Sequence, residues 1–338
     1  MKVLKEASLK SFNTFGIDVK AKYFVFIKDE VELNEILTSE EYRKIPKLIL
    51  GGGSNILLTR DFEGLVIKVS ISGIKIINEG EDSVLLEAGA GVVWHELVLF
   101  CIEKNYGGIE NLSLIPGLVG AAPVQNIGAY GQELKEVFQS LNGLYLNNGE
   151  TATFVKDDCK FGYRNSVFKN ELKDKFIITS IKLRLTKNPV INLEYSALKN
   201  EIEKLGLNHI SIKEVSNVVC NIRKSKLPDP EEIGNAGSFF KNPEIKEEKY
   251  NELLKNYPDI VGYKMGNNKV KVAAGWLIEK CGWKGKRIGN TGAHTRQALV
   301  LVNYGGASGR EIFDLSCKIK ESVLEKFGIE LNEEVNIV

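Results

Sequence analysis

The sequence lacks the features that mark several common classes of protein. Its apolar stretches fall well short of the roughly 18 residues that cross a bilayer. The first 13 residues carry Lys2, Lys5, Glu6 and Lys10 and contain no apolar segment, so no signal peptide is expected. Basic and acidic residues nearly balance, 45 against 44, which leaves no basic field for nucleic acid or an anionic membrane.

Cysteine and histidine are too scattered to predict a disulfide framework or a metal centre. The five cysteines contain no Cys-x-x-Cys pair, a pattern typical of reduced thiols in a cytosol. The three histidines lie far apart, and His95-Glu96 lacks the second histidine of a zincin motif. We therefore expect a cytoplasmic protein without a bound metal.

Both well-known phosphate-binding motifs are missing as well. Gly285-Lys286-Arg287 does not complete the motif G-x-x-x-x-G-K-[ST], and Gly89-Ala90-Gly91 lacks the third small residue of a dinucleotide fingerprint. The chain has instead a run of three glycines, Ser54 and Asn55, placed between two apolar triplets that predict strands. This run is expected to be a tight turn.

The turn at residues 51–55 is the most informative segment of the chain. Three successive residues without Cβ can take positive φ and direct several backbone N–H groups towards one point. Such a nest suits a diphosphate, and the candidate ligands are Gly51, Gly52, Gly53, Ser54 and Asn55. A glycine-rich β-hairpin without a ligand fits the same residues.

The remaining pattern predicts α+β domains, two or three of them in 338 residues. Capping boxes at Ser211–Glu214 and Ser308–Glu311 precede apolar stripes with helical spacing and predict two helices. The other expected elements are strands at 23–27, 65–69, 83–88, 176–186 and 298–303, and a helix at 94–104 ended by Gly107-Gly108. The break at Lys187-Asn188-Pro189 predicts a domain boundary.

Residues 115–131 form a long segment with four glycines, three alanines, two prolines and no charge. An ordinary solvated loop would carry charged residues. The composition favours backbone laid against a flat, partly apolar ligand, with Gln125 and Asn126 available to bond ring heteroatoms. A buried glycine-rich crossover between two sheets is the alternative.

Three polar groups stand in unusual surroundings. Arg164 lies beside aromatic residues and offers a planar fork of donors suited to a carboxylate, or else forms a surface ion pair. Ser238 lacks the context of a nucleophile; its hydroxyl can protonate a strongly basic enolate, or it caps a turn. Glu333-Glu334 lies among apolar residues, either buried with a partner or on an exposed terminal strand.

Together these segments resemble the bacterial UDP-N-acetylenolpyruvoylglucosamine reductase (UDP-N-acetylmuramate dehydrogenase) family. The resemblance implies a vanillyl-alcohol-oxidase-type FAD-binding domain in two lobes plus a C-terminal α+β substrate domain. Lobe 1 would cover residues 1–70, completed by about 328–338, lobe 2 residues 71–188, and the substrate domain residues 205–327. The matching stretches run in family order over nearly the whole chain: Asn13–Gly16, Gly51–Asn55, Ile115–Gly131, Phe161–Ser166, Leu227–Pro230, Asn235–Pro243 and Ala273–Ile278.

By this resemblance the protein binds FAD non-covalently and uses NADPH to reduce UDP-N-acetylenolpyruvoylglucosamine to UDP-N-acetylmuramate, as a monomer. Residues 51–55 would hold the pyrophosphate. Some relatives carry hydroxyl residues at Ala121-Ala122, so one or two cofactor hydrogen bonds would be missing here or supplied by backbone. The implied cofactor-lining residues are Ile115, Pro116, Gly117, Gly120, Ala121, Pro123, Gln125, Asn126 and Gly128.

The resemblance also implies catalytic roles. Hydride addition to the vinyl-ether double bond leaves an enolate, whose carboxylate Arg164 would hold and whose charge Glu334 would stabilise. Ser238 would protonate the neighbouring carbon. Because Glu333 is adjacent, the resemblance leaves open whether Glu333 or Glu334 is the catalytic glutamate. The implied substrate-binding residues are Tyr130, Arg164, Tyr195, Lys226, Asn242, Tyr263 and Gln297, with Tyr195 on the closing loop of the longer form of the enzyme.

Two other functions fit the same features. One is an FAD-dependent oxidase of the same flavin fold, which would produce peroxide from a reduced carbohydrate. Oxidases with covalent flavin use a His or Cys near the phosphate loop, and the nearest here, His95 and Cys101, match no such pattern. The other is a non-catalytic nucleotide-sugar-binding protein, in which Ser238→Ala would change no property.

Overall fold

The chain is described here from a computed structural model, which covers residues 1–206 and 209–338. In chain order the strands are β1 (Val3–Ser8), β2 (Lys20–Ile27), β3 (Lys47–Leu50), β4 (Ile56–Leu57), β5 (Phe62–Val69), β6 (Ile74–Glu79), β7 (Ser83–Gly89), β8 (Gly128–Ala129), β9 (Gln132–Glu133), β10 (Phe138–Tyr145), β11 (Thr151–Val155), β12 (Phe176–Thr186), β13 (Gly234–Ser238), β14 (Glu244–Lys246), β15 (Gly262–Met265), β16 (Lys269–Val272), β17 (Arg287–Ile288), β18 (Thr291–Ala293), β19 (Val300–Asn303) and β20 (Asn336–Ile337). The α-helices are α1 (Glu30–Thr38), α2 (Trp94–Glu103), α3 (Ser196–Glu203), α4 (Ile212–Lys226), α5 (Glu247–Asn256), α6 (Ala274–Lys280) and α7 (Gly309–Phe327). Short 3-10 turns lie at Lys10–Phe12, Glu110–Leu112, Val119–Ala121, Leu134–Glu136 and Val167–Lys169.

This order confirms the predicted α+β class, since strands and helices do not alternate regularly. Within the two described ranges, no helix is both long and apolar enough to cross a membrane. The chain divides into two compact units. The first comprises Met1–Ala7, Ala21–Gly52 and Phe62–Arg223, and the second comprises Ser8–Lys20, Gly53–Asp61 and Lys224–Val338. β12 ends beside the predicted break at 187–189, but the first unit continues to Arg223, and the three-part domain assignment stays a prediction.

The first unit contains a four-stranded sheet in the order β1-β2-β5-β3, in which β2, β5 and β3 are parallel. The predicted strands 23–27 and 65–69 lie within β2 and β5. Helix α1 covers this sheet through Leu33, Ile36 and Leu37, which are fully buried with Ile67. Asp29 caps the helix by accepting a hydrogen bond from the Glu32 N–H at 2.8 Å.

A five-stranded antiparallel sheet, β11-β10-β12-β7-β6, lies against a second core in this unit, which also contains the short pair β8-β9. β12 has the predicted alternation, with Ile181, Leu183 and Leu185 buried and Arg184 exposed. The predicted helix α2 is also present, but its expected ending at Gly107-Gly108 is wrong. Asn105 takes the left-handed position at φ 57°, and the next N–H bonds back to the Cys101 carbonyl at 2.8 Å, as in a Schellman motif.

Helix α4 closes the first unit and has the predicted start and stripe. The Glu214 carboxylate accepts the Ser211 N–H at 2.9 Å, and the Ser211 hydroxyl accepts the Lys213 N–H at 3.2 Å. The apolar stripe packs with two residues of α3 in a separate small core made of Leu198, Ile202, Val215, Val218, Val219 and Ile222. The family resemblance also predicts that residues 195–223 are the insert of the longer form, and two of these residues, 207 and 208, lie outside the described residues.

The second unit is built on the antiparallel sheet β13-β19-β18-β17 and the smaller sheet β14-β16-β15. Helix α7 has both hydrogen bonds of the predicted capping box and ends at Gly328 in the left-handed conformation. Its predicted stripe, Ile312, Leu315, Ile319 and Val323, is buried. The predicted strand 298–303 is β19, which starts two residues later. Near the C-terminus β20 pairs in parallel with β4.

Candidate active site

The glycine turn connects two strands that do not pair with each other. β3 pairs with β5, and β4 pairs with β20, so the β-hairpin alternative is wrong. Only one of the three glycines, Gly53 at φ 67°, has positive φ, which corrects the expectation for all three. Within residues 1–206 and 209–338 the N–H groups of Gly52, Gly53 and Ser54 have no protein acceptor. Three consecutive donors of this kind can bind an anion.

Close packing explains why two of these residues are glycine. In the first unit, a Cβ at Gly52 would lie 2.8 Å from the Cα of Gly117, and a Cβ at Gly51 would lie 3.7 Å from that of Ala121. In the second unit, a Cβ at Gly53 would lie 2.0 Å from the Phe12 carbonyl oxygen. The turn and the uncharged loop 115–131, which the sequence assigned to one cofactor, are therefore in contact within the first unit.

The uncharged loop is partly buried, and its hydrogen bonds correct one expectation. The Asn126 side chain is fully buried, donates to Glu133 Oε2 at 3.0 Å and to the Gly162 carbonyl at 3.1 Å, and accepts the Lys135 N–H at 3.0 Å. Its amide is thus committed to the protein and not available to a ring heteroatom. A cofactor contact at this position would have to come from the main chain.

Arg164 lies at the tip of a tight turn that is fastened to the uncharged loop. Gly162 and Asn165 exchange backbone hydrogen bonds of 3.0 and 3.2 Å across it. The Ser166 hydroxyl donates to the Val124 carbonyl at 2.7 Å. Arg164 itself is half-buried with φ 51°, an unfavourable conformation for a residue with a Cβ. The turn therefore holds the guanidinium near the loop, and a Cβ at Gly128 would lie 3.5 Å from one of its nitrogens.

Arg223 was missed by sequence reasoning and lies beside Tyr130, one of the predicted tyrosines. The Tyr130 and Tyr195 rings pack edge to face with centroids 5.3 Å apart. Burial raises the pKa of Tyr130. The Arg223 guanidinium, which hydrogen-bonds the phenol, acts in the opposite direction and lowers this pKa. Burial also lowers the pKa of Arg223, which donates from Nε to the Leu114 carbonyl at 3.2 Å. Its position four residues after Val219, on the edge of the α4 stripe, was the available signal.

In the second unit, Ser238 and Glu334 lie on neighbouring chain segments. The Glu334 N–H donates to the Phe239 carbonyl at 2.8 Å, and the Lys241 N–H donates to the Asn332 carbonyl at 2.9 Å. A strand irregularity before Ser238 includes Gly237 at φ 67°, a type of feature that redirects a side chain. Among the described residues the Ser238 hydroxyl has no hydrogen-bond partner, so it does not cap a following segment.

The two adjacent glutamates have different surroundings. Glu333 Oε1 accepts a hydrogen bond from Lys320 Nζ at 2.9 Å, which ties it to helix α7. This ion pair engages the Glu333 carboxylate, which favours Glu334 over Glu333 for the catalytic position.

Two of the other predicted substrate residues, Asn242 and Gln297, lie near the start of α6. Asn242 Oδ1 accepts the Ala274 N–H at 3.0 Å, and Gln297 Oε1 would lie 3.0 Å from a Cβ at Gly275. Lys226 ends α4 next to Ser225, whose carbonyl accepts Arg296 Nη1 at 3.2 Å. Tyr263 lies apart on the edge strand β15 and is 54% exposed.

Two family models match the chain. Residues 21–154 match a family described as an FAD binding domain, and residues 229–338 match the C-terminal domain of UDP-N-acetylenolpyruvoylglucosamine reductase. The two matches cover most of the first unit's sheets and most of the second unit.

Whole-length relatives carry the same description. The chain is 50% identical over 339 residues to a UDP-N-acetylenolpyruvoylglucosamine reductase of Flavobacterium johnsoniae, covering all of both chains. It is 47% identical over 337 residues to one of Pseudomonas aeruginosa, covering all of this chain and 99% of the relative. A solved reductase of this description from Thermus caldophilus has a similar fold, with a TM-score of 0.69 at 22% identity over 99% of this chain and 98% of that one.

Proposed function

Because the chain belongs to the UDP-N-acetylenolpyruvoylglucosamine reductase family, we propose that it reduces the enolpyruvyl sugar nucleotide to UDP-N-acetylmuramate. FAD is the cofactor and NADPH the reductant, and the reaction serves peptidoglycan precursor synthesis. The observation that carries this conclusion is whole-length identity to described reductases together with a glycine turn that offers free N–H donors beside an uncharged loop.

The residues present fit FAD. The N–H groups of residues 52–54 suit its diphosphate, and Gly52 and Gly117 leave no room for a Cβ where the turn meets the loop. We propose that residues 51–55 hold the diphosphate and that the uncharged loop lines the rest of the cofactor. Bound FAD supplies the hydride that it receives from NADPH.

The chain's own residues bind the substrate and move the proton. Arg164 holds the carboxylate of the enolpyruvyl group through its guanidinium fork. Glu334 stabilises the charge that develops after hydride addition, and the Ser238 Oγ gives its proton to the carbon next to the carboxylate. The free hydroxyl and the tethering of Glu333 to Lys320 support these assignments.

We extend the proposal to the rest of the substrate. Tyr130 and Tyr195, supported by their ring contact, close over the nucleotide, and Arg223 fixes the Tyr130 hydroxyl. In the second unit, Lys226, Asn242 and Gln297 meet the substrate's polar groups, together with the more exposed Tyr263.

The remaining assignments follow from family membership. We propose a monomeric cytoplasmic enzyme whose product is needed for cell-wall biogenesis, cell shape and division. We keep the division into an FAD-binding domain in two lobes (1–70 with about 328–338, and 71–188) and a substrate domain (205–327).

The test uses the purified protein and its visible spectrum. The protein is expected to be yellow, to lose its flavin absorbance when NADPH is added without oxygen, and to regain it when the enolpyruvyl substrate follows. A reduced spectrum that persists after addition of the substrate would reject the proposed function. Rapid peroxide production from a reduced carbohydrate would support an oxidase instead.

A further inference from the structure

Lys68 on β5 lies beside the glycine turn and was not among the predicted site residues. Its neighbours Ile67 and Val69 are buried in the core under α1, and alternation along the strand puts Lys68 on the opposite face. Its ammonium group donates a hydrogen bond to the carbonyl oxygen of Gly51. Both residues belong to the first unit.

The ammonium group is half-buried and has no anionic partner in the part of the chain that the structure describes. Burial lowers the pKa of Lys68, and no neighbouring carboxylate opposes that shift. A cation taken partly out of water without a counter-charge costs free energy, which a bound anion can offset.

The geometry of the peptide bond connects this cation to the anion site. In a trans peptide the C=O and the following N–H point in opposite directions. An ammonium group on the Gly51 oxygen therefore turns the Gly52 N–H to the other side, where it has no protein acceptor. Hydrogen bonds in a chain also polarise one another, so the cation strengthens Gly52 as a donor.

We propose that Lys68 is a positioning residue for the cofactor: through the Gly51–Gly52 peptide it orients and polarises the N–H that binds the diphosphate of FAD. This proposal rests on the proposed function. It predicts an effect on the phosphate-containing ligand that a purely structural lysine would not have.

The experiment measures binding to the full-length apoprotein after removal of flavin. FAD and riboflavin are titrated separately and followed by flavin fluorescence, with circular dichroism to confirm folding. Lys68→Met is expected to weaken FAD binding about tenfold, the size of one charge-assisted hydrogen bond, and to leave riboflavin binding within about twofold. Lys68→Gln, which keeps a donor without the charge, is expected to lose less and serves as the test if Lys68→Met does not fold.

Lys47 provides a matched control. It is a half-buried lysine on the adjacent strand β3 whose ammonium group donates to the Arg43 and Ile45 carbonyls at 2.9 and 3.2 Å, at the end of the strand away from the turn. Lys47→Met is expected to leave the affinity for FAD within about twofold.

Three results would overturn the role of Lys68. The first is an unchanged affinity for FAD in both Lys68 variants, and the second is an equal proportional loss of affinity for FAD and for riboflavin. The third comes from a parallel titration with UDP-N-acetylglucosamine: a loss of affinity for this ligand alone would assign the charge of Lys68 to the substrate's diphosphate. Failure of the wild-type apoprotein to bind FAD would instead reject the proposed function.

Discussion

The contact of the glycine turn with the uncharged loop in the first unit and the proposed catalytic segments of the second unit are built in opposite ways. In the first unit the important feature is the lack of side chains, since Gly52 and Gly117 touch through their backbones. In the second unit an isolated β-bridge joins residues 239–241 to residues 332–334, and the proposed chemistry depends on the side chains that project from them. Adding a Cβ to the glycine turn should therefore impair cofactor binding, and removing a functional group from Ser238 or Glu334 should impair catalysis.

Ser238→Ala should produce the largest effect. Loss of a positioned general acid costs about 10²- to 10⁴-fold in rate, so kcat should fall by about that factor while the protein stays folded. The measurement is steady-state NADPH oxidation, with thermal unfolding as the control for folding. Retention of wild-type kcat would remove Ser238 from the mechanism and weaken the contrast between the two sites.

The two adjacent glutamates allow a comparison of two carboxylates within one chain segment. Glu334→Gln should lower kcat by about 10²-fold, because it removes electrostatic stabilisation of the developing charge. Glu333→Gln should leave kcat unchanged and lower the free energy of unfolding by no more than about 1 kcal/mol, since its partner Lys320 is partly solvated. The opposite pattern of kcat values would move the catalytic assignment to Glu333.

In the first unit, the matched pair is Gly52→Ala and Gly51→Ala. A Cβ at Gly52 would press on Gly117 at 2.8 Å, whereas one at Gly51 would make an ordinary contact of 3.7 Å with Ala121. Overpacking of this kind costs about 1–3 kcal/mol, so denaturant unfolding should show a clear loss for Gly52→Ala and a smaller one for Gly51→Ala. Equal losses would mean that the close approach is not what requires glycine.

The pH dependence of Lys68 should give the smallest effect. Burial lowers the pKa of Lys68 below its ordinary value of 10.5, so between the folded and unfolded values the unfolded chain binds more protons. The free energy of unfolding of the wild-type apoprotein should therefore rise with pH across that window relative to Lys68→Met. A difference between the two proteins that stays constant with pH would contradict the burial of this charge.

Sequence reasoning succeeded where a local rule decides the structure. The capping boxes and stripes of α4 and α7 are local, and both helices formed as predicted. The partners of β3 and β4 are distant in sequence, so the hairpin alternative could not be rejected from residues 48–58 alone. The Asn126 amide donates hydrogen bonds to Glu133 and to the Gly162 carbonyl. These bonds depend on how separate segments fold together, so they could not be predicted from the loop alone.

The candidate site shows the same division. Glycine content pointed to the proposed cofactor turn, and the resemblance supplied the proposed catalytic trio. Lys68 was missed because nothing in its neighbouring residues distinguishes it from an ordinary strand position, and Arg223 because its place on the edge of the α4 stripe does not show which groups it meets. Only the folded structure shows that Lys68 donates to the Gly51 carbonyl and Arg223 to the Leu114 carbonyl.

The central claim is that cofactor binding depends on the glycine turn and proton transfer depends on Ser238. The direct test is to titrate FAD into the apoproteins of Gly52→Ala and Ser238→Ala and to compare the dissociation constants with the wild type. We expect a loss of FAD affinity of at least about tenfold for Gly52→Ala and an unchanged affinity for Ser238→Ala. Wild-type affinity in Gly52→Ala, or a loss of affinity confined to Ser238→Ala, would show that the glycine turn does not bind the cofactor.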